Sequence, residues 1–178
     1  SQKHVQVVGV DGVRKALETF TKEHPSLEIE PVESCDKFER FKGRDIELLK
    51  GDFFDVDETT TGGRFDAIWD RAAIIAIQPE LREMYVETIS KVLKPGGTLL
   101  LSALERRTGT EEAINAGPPF SLSEKEVRRL YESQDWVETV ELLEEIDQFE
   151  RKPSDKERFG QKGVTSMFEL VFLIKAKE

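Results

Sequence analysis

The stretch that decides the fold runs from Arg64 to Leu104 and reads RFDAIWDRAAIIAIQPELREMYVETISKVLKPGGTLLLSAL. Within it, a short apolar run, Phe65 to Trp69, ends in the polar pair Asp70-Arg71. An amphipathic helix, a Pro-Gly-Gly stop and a second apolar run, Thr98 to Leu104, follow. A strand, a helix and a second strand in this order predict one βαβ crossover of a parallel sheet. Because open sheets of this kind bind ligands at the carboxyl ends of their strands, we expect a small-molecule site at Asp70-Arg71.

The helix in this stretch has the strongest pattern. Pro79 suits the first helical position, and Gly96 or Gly97 suits a left-handed cap at the end of the helix. Residues at spacings of three and four predict its buried face. They are Leu81, Met84, Tyr85, Thr88, Ile89 and Val92.

Upstream of this stretch the pattern predicts more of the same sheet. Val5 to Val10 and Ile46 to Leu49 are typical of strands, and a helix that ends before Pro25 separates them. Phe38 and Phe41 suit a short hairpin at the edge of the sheet. The polar residues 59–63 predict a turn.

Downstream, the pattern predicts a helix that begins at Ser123, with Glu126 three residues on as in a capping box. Trp136 to Leu143 and Met167 to Ile174 are typical of two strands. Since a loop and no helix is predicted between these strands, we expect them to form an antiparallel hairpin. Residues 105–120 and 151–162 are polar and predict loops. No linker or repeat interrupts the chain, so we expect one α/β domain over residues 1–178.

The composition limits the classes of function. The chain has 178 residues with 36 acidic and 26 basic side chains, a formal net charge of -10. Nucleic-acid and anionic-membrane surfaces need a basic footprint, so neither is an expected partner. The single cysteine, Cys35, excludes an internal disulfide and fits a cytoplasmic location, and the two histidines are too far apart to suggest a metal site. No apolar run approaches the roughly 20 residues of a membrane span, and no signal-peptide pattern occurs.

Polar or aromatic residues follow three predicted strands. Asp11 can accept hydrogen bonds from ribose hydroxyls, although a helix cap is the simpler interpretation of this residue alone. Asp52 and Phe53 can hold an adenine, or they are a loop carboxylate beside a core ring. Arg71 can pair with a carboxylate or phosphate, or form a structural ion pair with Asp70 or Asp66. Taken together, they are typical of a nucleoside-binding edge of a parallel sheet.

One expected element is missing upstream. In a dinucleotide-type fold, the glycine-rich phosphate loop precedes the ribose acid by about 20 residues. Counting back that far from Asp11 passes the start of the sequence. We therefore expect the sequence to begin at the second strand of such a fold.

Several motifs together point to a family. They are the run Phe65 to Arg71, the helix from Pro79, Leu93 to Gly97 and Gly117-Pro118-Pro119-Phe120. The tetrad Ile-Trp-Asp-Arg followed by Gly-Pro-Pro-Phe is much more specific than the Lys-Pro-Gly-Gly motif. The chain resembles thiopurine S-methyltransferase and its bacterial relatives. The resemblance implies a Rossmann-like class I methyltransferase sheet, mostly parallel, with an antiparallel C-terminal hairpin and lacking the first strand.

The resemblance also implies the ligands and the residues that bind them. S-adenosylmethionine is the implied methyl donor. Asp11 matches the ribose-binding acid of the family, where many members have Glu. Asp52 and Phe53 match the adenine-side pair, and Arg71 matches the arginine that contacts the amino-acid end of the cofactor.

A small thiol or related soft nucleophile is the implied acceptor. Arg158 falls near an arginine implicated in substrate binding, and Pro118 and Phe120 lie in the segment that flanks the acceptor pocket. A thiolate is already a strong nucleophile, so alignment and exclusion of water are the main tasks of the protein and we nominate no catalytic base. We expect a cytoplasmic enzyme that is a monomer when complete.

Other interpretations stay open. The chain can be a non-catalytic methyltransferase-like binding module, or a class I methyltransferase that acts on oxygen or nitrogen of another small molecule. A nicotinamide-dependent oxidoreductase is disfavoured by the antiparallel C-terminal hairpin and by the Gly-Pro-Pro-Phe motif.

Overall fold

Two four-stranded sheets with helices make up the structure, a computed structural model that describes residues 5–178. The chain divides into two units, Ser1–Gly63 and Arg64–Glu178, and each contains one of the sheets. Both units combine strands with helices, so the predicted α/β class is confirmed. That residues 1–178 form a single domain stays a prediction. In the described part of the chain, no helix is both long and apolar enough to cross a membrane.

The first unit is built around a parallel pair of strands. Its elements in chain order are β1 (Val7–Asp11), α1 (Arg14–Glu23), β2 (Glu30–Val32), β3 (Glu39–Lys42), β4 (Ile46–Lys50) and α2 (Glu58–Thr61). The sheet order is β1-β4-β3-β2, with β1 parallel to β4 and the other pairs antiparallel. The short hairpin expected around Phe38 and Phe41 therefore lies at the edge of the sheet, as predicted.

The core of the first unit lies between α1 and the sheet. Leu17 of α1 packs with Ile29 and Leu48, and Phe41 lies against this cluster. The turn predicted for residues 59–63 is confined to Gly62 and Gly63. The other residues of this segment form α2 instead, because Asp57 and the Thr60 side chain make a reciprocal capping box that satisfies the first amides of a helix.

The second unit contains the predicted βαβ crossover. Its elements are β5 (Phe65–Arg71), α3 (Arg82–Val92), β6 (Leu93–Gly109), α4 (Glu111–Asn115), α5 (Glu124–Glu132), β7 (Val137–Asp147), α6 (Gln148–Arg151), α7 (Pro153–Gly160) and β8 (Val164–Ala176). The sheet order is β5-β6-β8-β7. β5 is parallel to β6, whereas β8 is antiparallel to both β6 and β7. The C-terminal antiparallel hairpin is confirmed, and the two sheets are mixed rather than mostly parallel.

The buried face of α3 differs from the predicted stripe. Leu81 and Met84 are 37% and 41% exposed, whereas Arg82 and Val86 are buried. The helix is entered through a 3-10 turn, Pro79–Leu81, whose three residues per turn shift the buried face from that of a continuous α-helix. Arg82 is tolerated inside because its Nη2 donates to the carbonyl oxygen of Ser121 at 3.0 Å.

The end of α3 also differs from the prediction. The capping residue is Leu93 in an extended conformation, and β6 begins there. Gly96 has a φ of 68° but lies within β6, four residues after the last residue of α3, Val92. The predicted left-handed glycine cap is therefore wrong, because the chain passes directly from helix to strand.

Both polar segments predicted to be loops contain regular structure. β6 continues to Gly109 because β8 pairs with it as far as Val164. The second segment contains α7, Pro153–Gly160, and just before it the Asp147 side chain caps α6 by accepting from the amide of Phe149 at 2.8 Å. Phe149 and Phe159 are buried in one cluster with parts of α4 and β8. Charged neighbours in the sequence conceal these two core residues, so the loop predictions are wrong.

One residue after β5 adopts an unusual backbone conformation. Ala72 has a φ of 69°, in the left-handed region that a side chain disfavours. We expect Ala72→Gly to raise the free energy of unfolding by about 0.5–1 kcal/mol, because glycine adopts this conformation without strain. Ala73→Gly is the matched control and should lower it, since Ala73 is not at positive φ. Urea titration measures both; a destabilised Ala72→Gly variant would contradict the assigned conformation.

Candidate functional site

In the first unit, two predicted site residues lie at the carboxyl ends of neighbouring parallel strands. Asp11 ends β1, and its backbone carbonyl accepts from the amide of Gly51, just after β4, at 3.2 Å. Asp11 Oδ1 accepts from the amide of Val13 at 2.7 Å. Asp52 Oδ1 likewise accepts from the amide of Phe54 at 3.0 Å. Each carboxylate thus caps a turn with one oxygen, and its second oxygen has no hydrogen-bond partner among the described residues.

The turn that carries Asp52 and Phe53 needs a glycine. A Cβ on Gly51 would lie 2.7 Å from the carbonyl oxygen of Lys37 and would overlap the ring of Phe38. Phe53 is half-buried and packs edge-to-face on Phe54, with ring centroids 6.0 Å apart. The structure therefore brings Asp11, Asp52 and Phe53 to one edge of the first sheet.

In the second unit, Asp70 and Arg71 lie on opposite faces of β5. Asp70 is buried and accepts from the amides of Ala73 (2.9 Å) and Ile74 (3.4 Å) and from the Tyr85 hydroxyl (2.9 Å). Arg71 is exposed, and its register partner on β6 is Ser102. Asp70 therefore caps the turn after β5 and does not pair with Arg71.

Burial sets the ionisation of Asp70. Desolvation raises the pKa of its carboxyl above the ordinary value, and the hydrogen bonds from Tyr85 and the two amides oppose this with a smaller effect. Desolvation also raises the pKa of the Tyr85 hydroxyl, as does the neighbouring Asp70 carboxylate. Tyr85 thus stays a hydrogen-bond donor to Asp70 at all ordinary pH values.

Arg71 and Arg158 differ from the paired arginines of the second unit. Arg107, Arg128, Arg129 and Arg151 form ion pairs, whereas Arg82 and Arg106 donate to backbone carbonyls. Within the described residues, the guanidinium groups of Arg71 and Arg158 have neither a hydrogen bond nor an ion pair. Arg158 instead stacks on the ring of Phe159, with 5.3 Å between Cζ and the centroid. These two arginines keep all their donors available for an anionic ligand.

The Gly117-Pro118-Pro119-Phe120 segment is held by a residue that the sequence analysis missed. Arg106 of β6 is 5% exposed; its Nη1 donates to the carbonyls of Ala113 (3.0 Å) and Ala116, and its Nη2 donates to that of Pro119 (2.7 Å). The segment has cis bonds before Pro118 and Pro119. Because Arg106 lies in a run predicted to be a loop, no pattern marked it as buried.

Two contacts link the acceptor-side residues Arg158, Pro118 and Phe120 to their surroundings. The amide of Phe120 donates to the carbonyl of Ile75 at 2.7 Å, which ties the segment to the turn that follows Arg71. The guanidinium of Arg106 also lies 5.5 Å from the centroid of Phe159, the ring on which Arg158 stacks. Arg158 and the segment that carries Pro118 and Phe120 are therefore linked through Arg106 and Phe159.

One prediction joins residues of both units. It places Asp11, Asp52, Phe53 and Arg71 around a single adenosyl pocket, and it stays a prediction. What each unit provides separately is a strand edge with carboxylates that retain a free oxygen, and a strand end with an unpaired arginine.

Comparison with known proteins gives one family. A model of the family described as thiopurine S-methyltransferase matches residues 1–177. A thiopurine S-methyltransferase of Nitrosospira multiformis is 30% identical over 176 residues, which cover 99% of this chain and 74% of that protein. Another, of Pseudomonas fluorescens, is 36% identical over 170 residues, covering 96% of this chain and 71% of that protein.

Comparison with solved structures gives the fold. The crystal structure of the N-methyltransferase NodS from Bradyrhizobium japonicum has a TM-score of 0.57 and 12% identity, covering 97% of this chain and 74% of that chain. At this identity the likeness concerns the fold alone. It confirms the predicted Rossmann-like methyltransferase fold.

We expect Arg106→Met to lower the free energy of unfolding by about 3 kcal/mol, because it leaves the carbonyls of Ala113, Ala116 and Pro119 without their donor. Urea titration measures this change. The control is Arg107→Met, which removes surface ion pairs with Glu105 and Glu145 and should have a much smaller effect. Equal losses for the two variants would contradict the role assigned to Arg106.

The pKa of Asp70 predicts a pH dependence of stability. Because its pKa is higher in the folded chain, unfolding releases a proton from about pH 4 up to the folded-state pKa, and stability falls as the pH rises through this window. The difference in free energy of unfolding between the unaltered chain and Asp70→Asn should therefore fall with rising pH and then level off. Tyr85→Phe removes a hydrogen bond that lowers this pKa, so the window should extend to higher pH. A difference that is the same at every pH would contradict the shift.

Proposed function

The chain belongs to the thiopurine S-methyltransferase family, and we propose that it transfers a methyl group from S-adenosylmethionine to the sulfur of a small thiol. The observation that carries this proposal is Arg71. It is an exposed arginine at the carboxyl end of a parallel strand, and it has no acidic partner among the described residues. In a chain with a net charge of -10, such an arginine suits an anionic group of a ligand.

The residues present fit S-adenosylmethionine. Asp11 has a free carboxylate oxygen for ribose hydroxyls, and Asp52 with Phe53 offers an acceptor and a half-buried ring for adenine. Arg71 offers a fork of donors for the carboxylate of the methionine end. When bound, this cofactor supplies an electrophilic methyl carbon on a sulfonium.

The acceptor side in this proposal consists of Arg158, Pro118 and Phe120. Stacking on Phe159 leaves the in-plane donors of Arg158 free, and these stabilise an anionic sulfur acceptor. Pro118 and Phe120 belong to a segment with no long polar side chain, which excludes water from the acceptor. No residue is nominated as a base, because a thiolate needs alignment rather than deprotonation in the active site.

We also propose the partner, the oligomeric state and the location of the chain. A small-molecule thiol is the proposed partner, and the net charge of -10 supports the absence of a nucleic-acid partner. A monomeric enzyme in the cytoplasm is proposed; the single cysteine, Cys35, which is a free thiol, supports the cytoplasmic location.

We expect Arg71→Ala to weaken S-adenosylmethionine binding at least about tenfold, the loss expected for a charge-assisted contact with the carboxylate. Isothermal titration calorimetry with S-adenosylhomocysteine, which keeps that carboxylate, measures the change. The control is Arg129→Ala, which removes a surface arginine paired with Glu126 and Glu83. The affinity of this variant for S-adenosylhomocysteine should equal that of the unaltered chain. An affinity of Arg71→Ala equal to that of the unaltered chain would refute the assignment of Arg71.

A further inference from the structure

A polar cluster in the second unit lies beside the strand end that carries Arg71. Its centre is Glu169 of β8, whose side chain is 17% exposed. Glu169 Oε1 accepts from the Ser102 hydroxyl at 2.7 Å, and Oε2 accepts from the Gln148 amide at 2.7 Å and from the Arg151 guanidinium at 2.6 Å. The donors belong to β6 and α6, so one carboxylate links the sheet to the segment that follows β7.

The register places this cluster on the same face of the sheet as Arg71. Ser102 is the partner of Arg71 on β6, and Val171 is the partner of Ser102 on β8. Paired residues share a face, and so do residues two apart in one strand. Arg71, Ser102 and Glu169 therefore lie on one face, towards the carboxyl end of β6.

The segment anchored by Glu169 is the one that carries Arg158. Residues 148–163 begin with α6 and continue through α7, which contains Arg158. Two buried rings, Phe149 and Phe159, hold this segment against the sheet. Apolar contact is non-directional and leaves rotation about the contact open, whereas hydrogen bonds to Glu169 are directional and fix the orientation of α6.

We infer that Glu169 is a positioning residue for the methyl acceptor, an inference that rests on the proposed function. Glu169 does not touch the acceptor. It holds α6 in one orientation through Gln148 and Arg151, and α6 in turn sets where Arg158 lies relative to Ser102 and Arg71. Removing its charge loosens the acceptor side and leaves the donor side in place, because Arg71 forms neither a hydrogen bond nor an ion pair with Glu169 or with a residue of α6.

The test is a comparison of Michaelis constants. Glu169→Gln keeps the size of the side chain but removes its charge and leaves one acceptor oxygen instead of two, so Ser102, Gln148 and Arg151 can no longer all donate to a carboxylate. With mercaptopurine as the thiol, we expect the KM for thiol to rise about tenfold and the KM for S-adenosylmethionine to stay within about twofold. Arg151→Gln, an exposed change, should raise the thiol KM in the same direction by about threefold.

The control is Glu145→Gln. Glu145 also pairs with an arginine, Arg107, but it is in register with Leu170, so it lies on the face of the sheet opposite to Glu169. Both of its Michaelis constants should match those of the unaltered chain. This separates loss of an ion pair in general from loss of the particular anchor at Glu169.

The possible outcomes distinguish a failure of this inference from a failure of the proposed methyl-transfer function. No methylated thiol from the unaltered chain would overturn the proposed function, and the inference with it. An active chain whose Glu169→Gln variant has an unchanged thiol KM, or equal rises in both constants, would overturn the inference alone. Should Glu169→Gln fail to fold, Arg151→Gln decides by the same two constants.

Discussion

The buried guanidinium of Arg106 is the contact on which the acceptor side of the second unit depends. It donates to carbonyls of Ala113, Ala116 and Pro119, and it lies against the ring of Phe159. A buried carbonyl without a donor costs about 1–3 kcal/mol, so this one side chain fixes a segment that has little regular structure of its own. Through it, α4, the Gly-Pro-Pro-Phe segment and α7 meet on β6.

The arginines of the second unit fall into two groups, those that stabilise the structure and those available to bind a ligand. Most of them hold an acid or a carbonyl and thereby stabilise surfaces and turns. Arg71 and Arg158 have no such partner among residues 5–178; Arg71 belongs to the proposed donor side and Arg158 to the proposed acceptor side. Acidic side chains outnumber basic ones in this chain, so partners for an arginine are abundant and the lack of one is informative.

Much of the fold could be predicted because it depends on local patterns. The β5-α3-β6 crossover and the C-terminal hairpin follow from apolar runs and their spacing. The Ser123 cap is confirmed, since its hydroxyl oxygen accepts from the amide of Glu126 at 3.2 Å. The predictions failed where long-range contacts override local polarity. Arg82 is buried because Ser121 accepts from it, and Phe159 is buried although charged residues surround it in the sequence.

The sequence by itself determined the β5-α3-β6 crossover, the C-terminal hairpin, the polar positions at the strand ends and the family, because each depends on neighbouring residues. The tertiary structure alone decided which arginines are paired, which phenylalanines of polar segments are buried, and that Trp69 of β5 is 70% exposed. These properties depend on contacts between residues far apart in the chain, such as Ser102 with Glu169, 67 positions away. Hydrogen bonds act over about 3 Å in space, and no spacing pattern along a chain encodes which distant groups come that close.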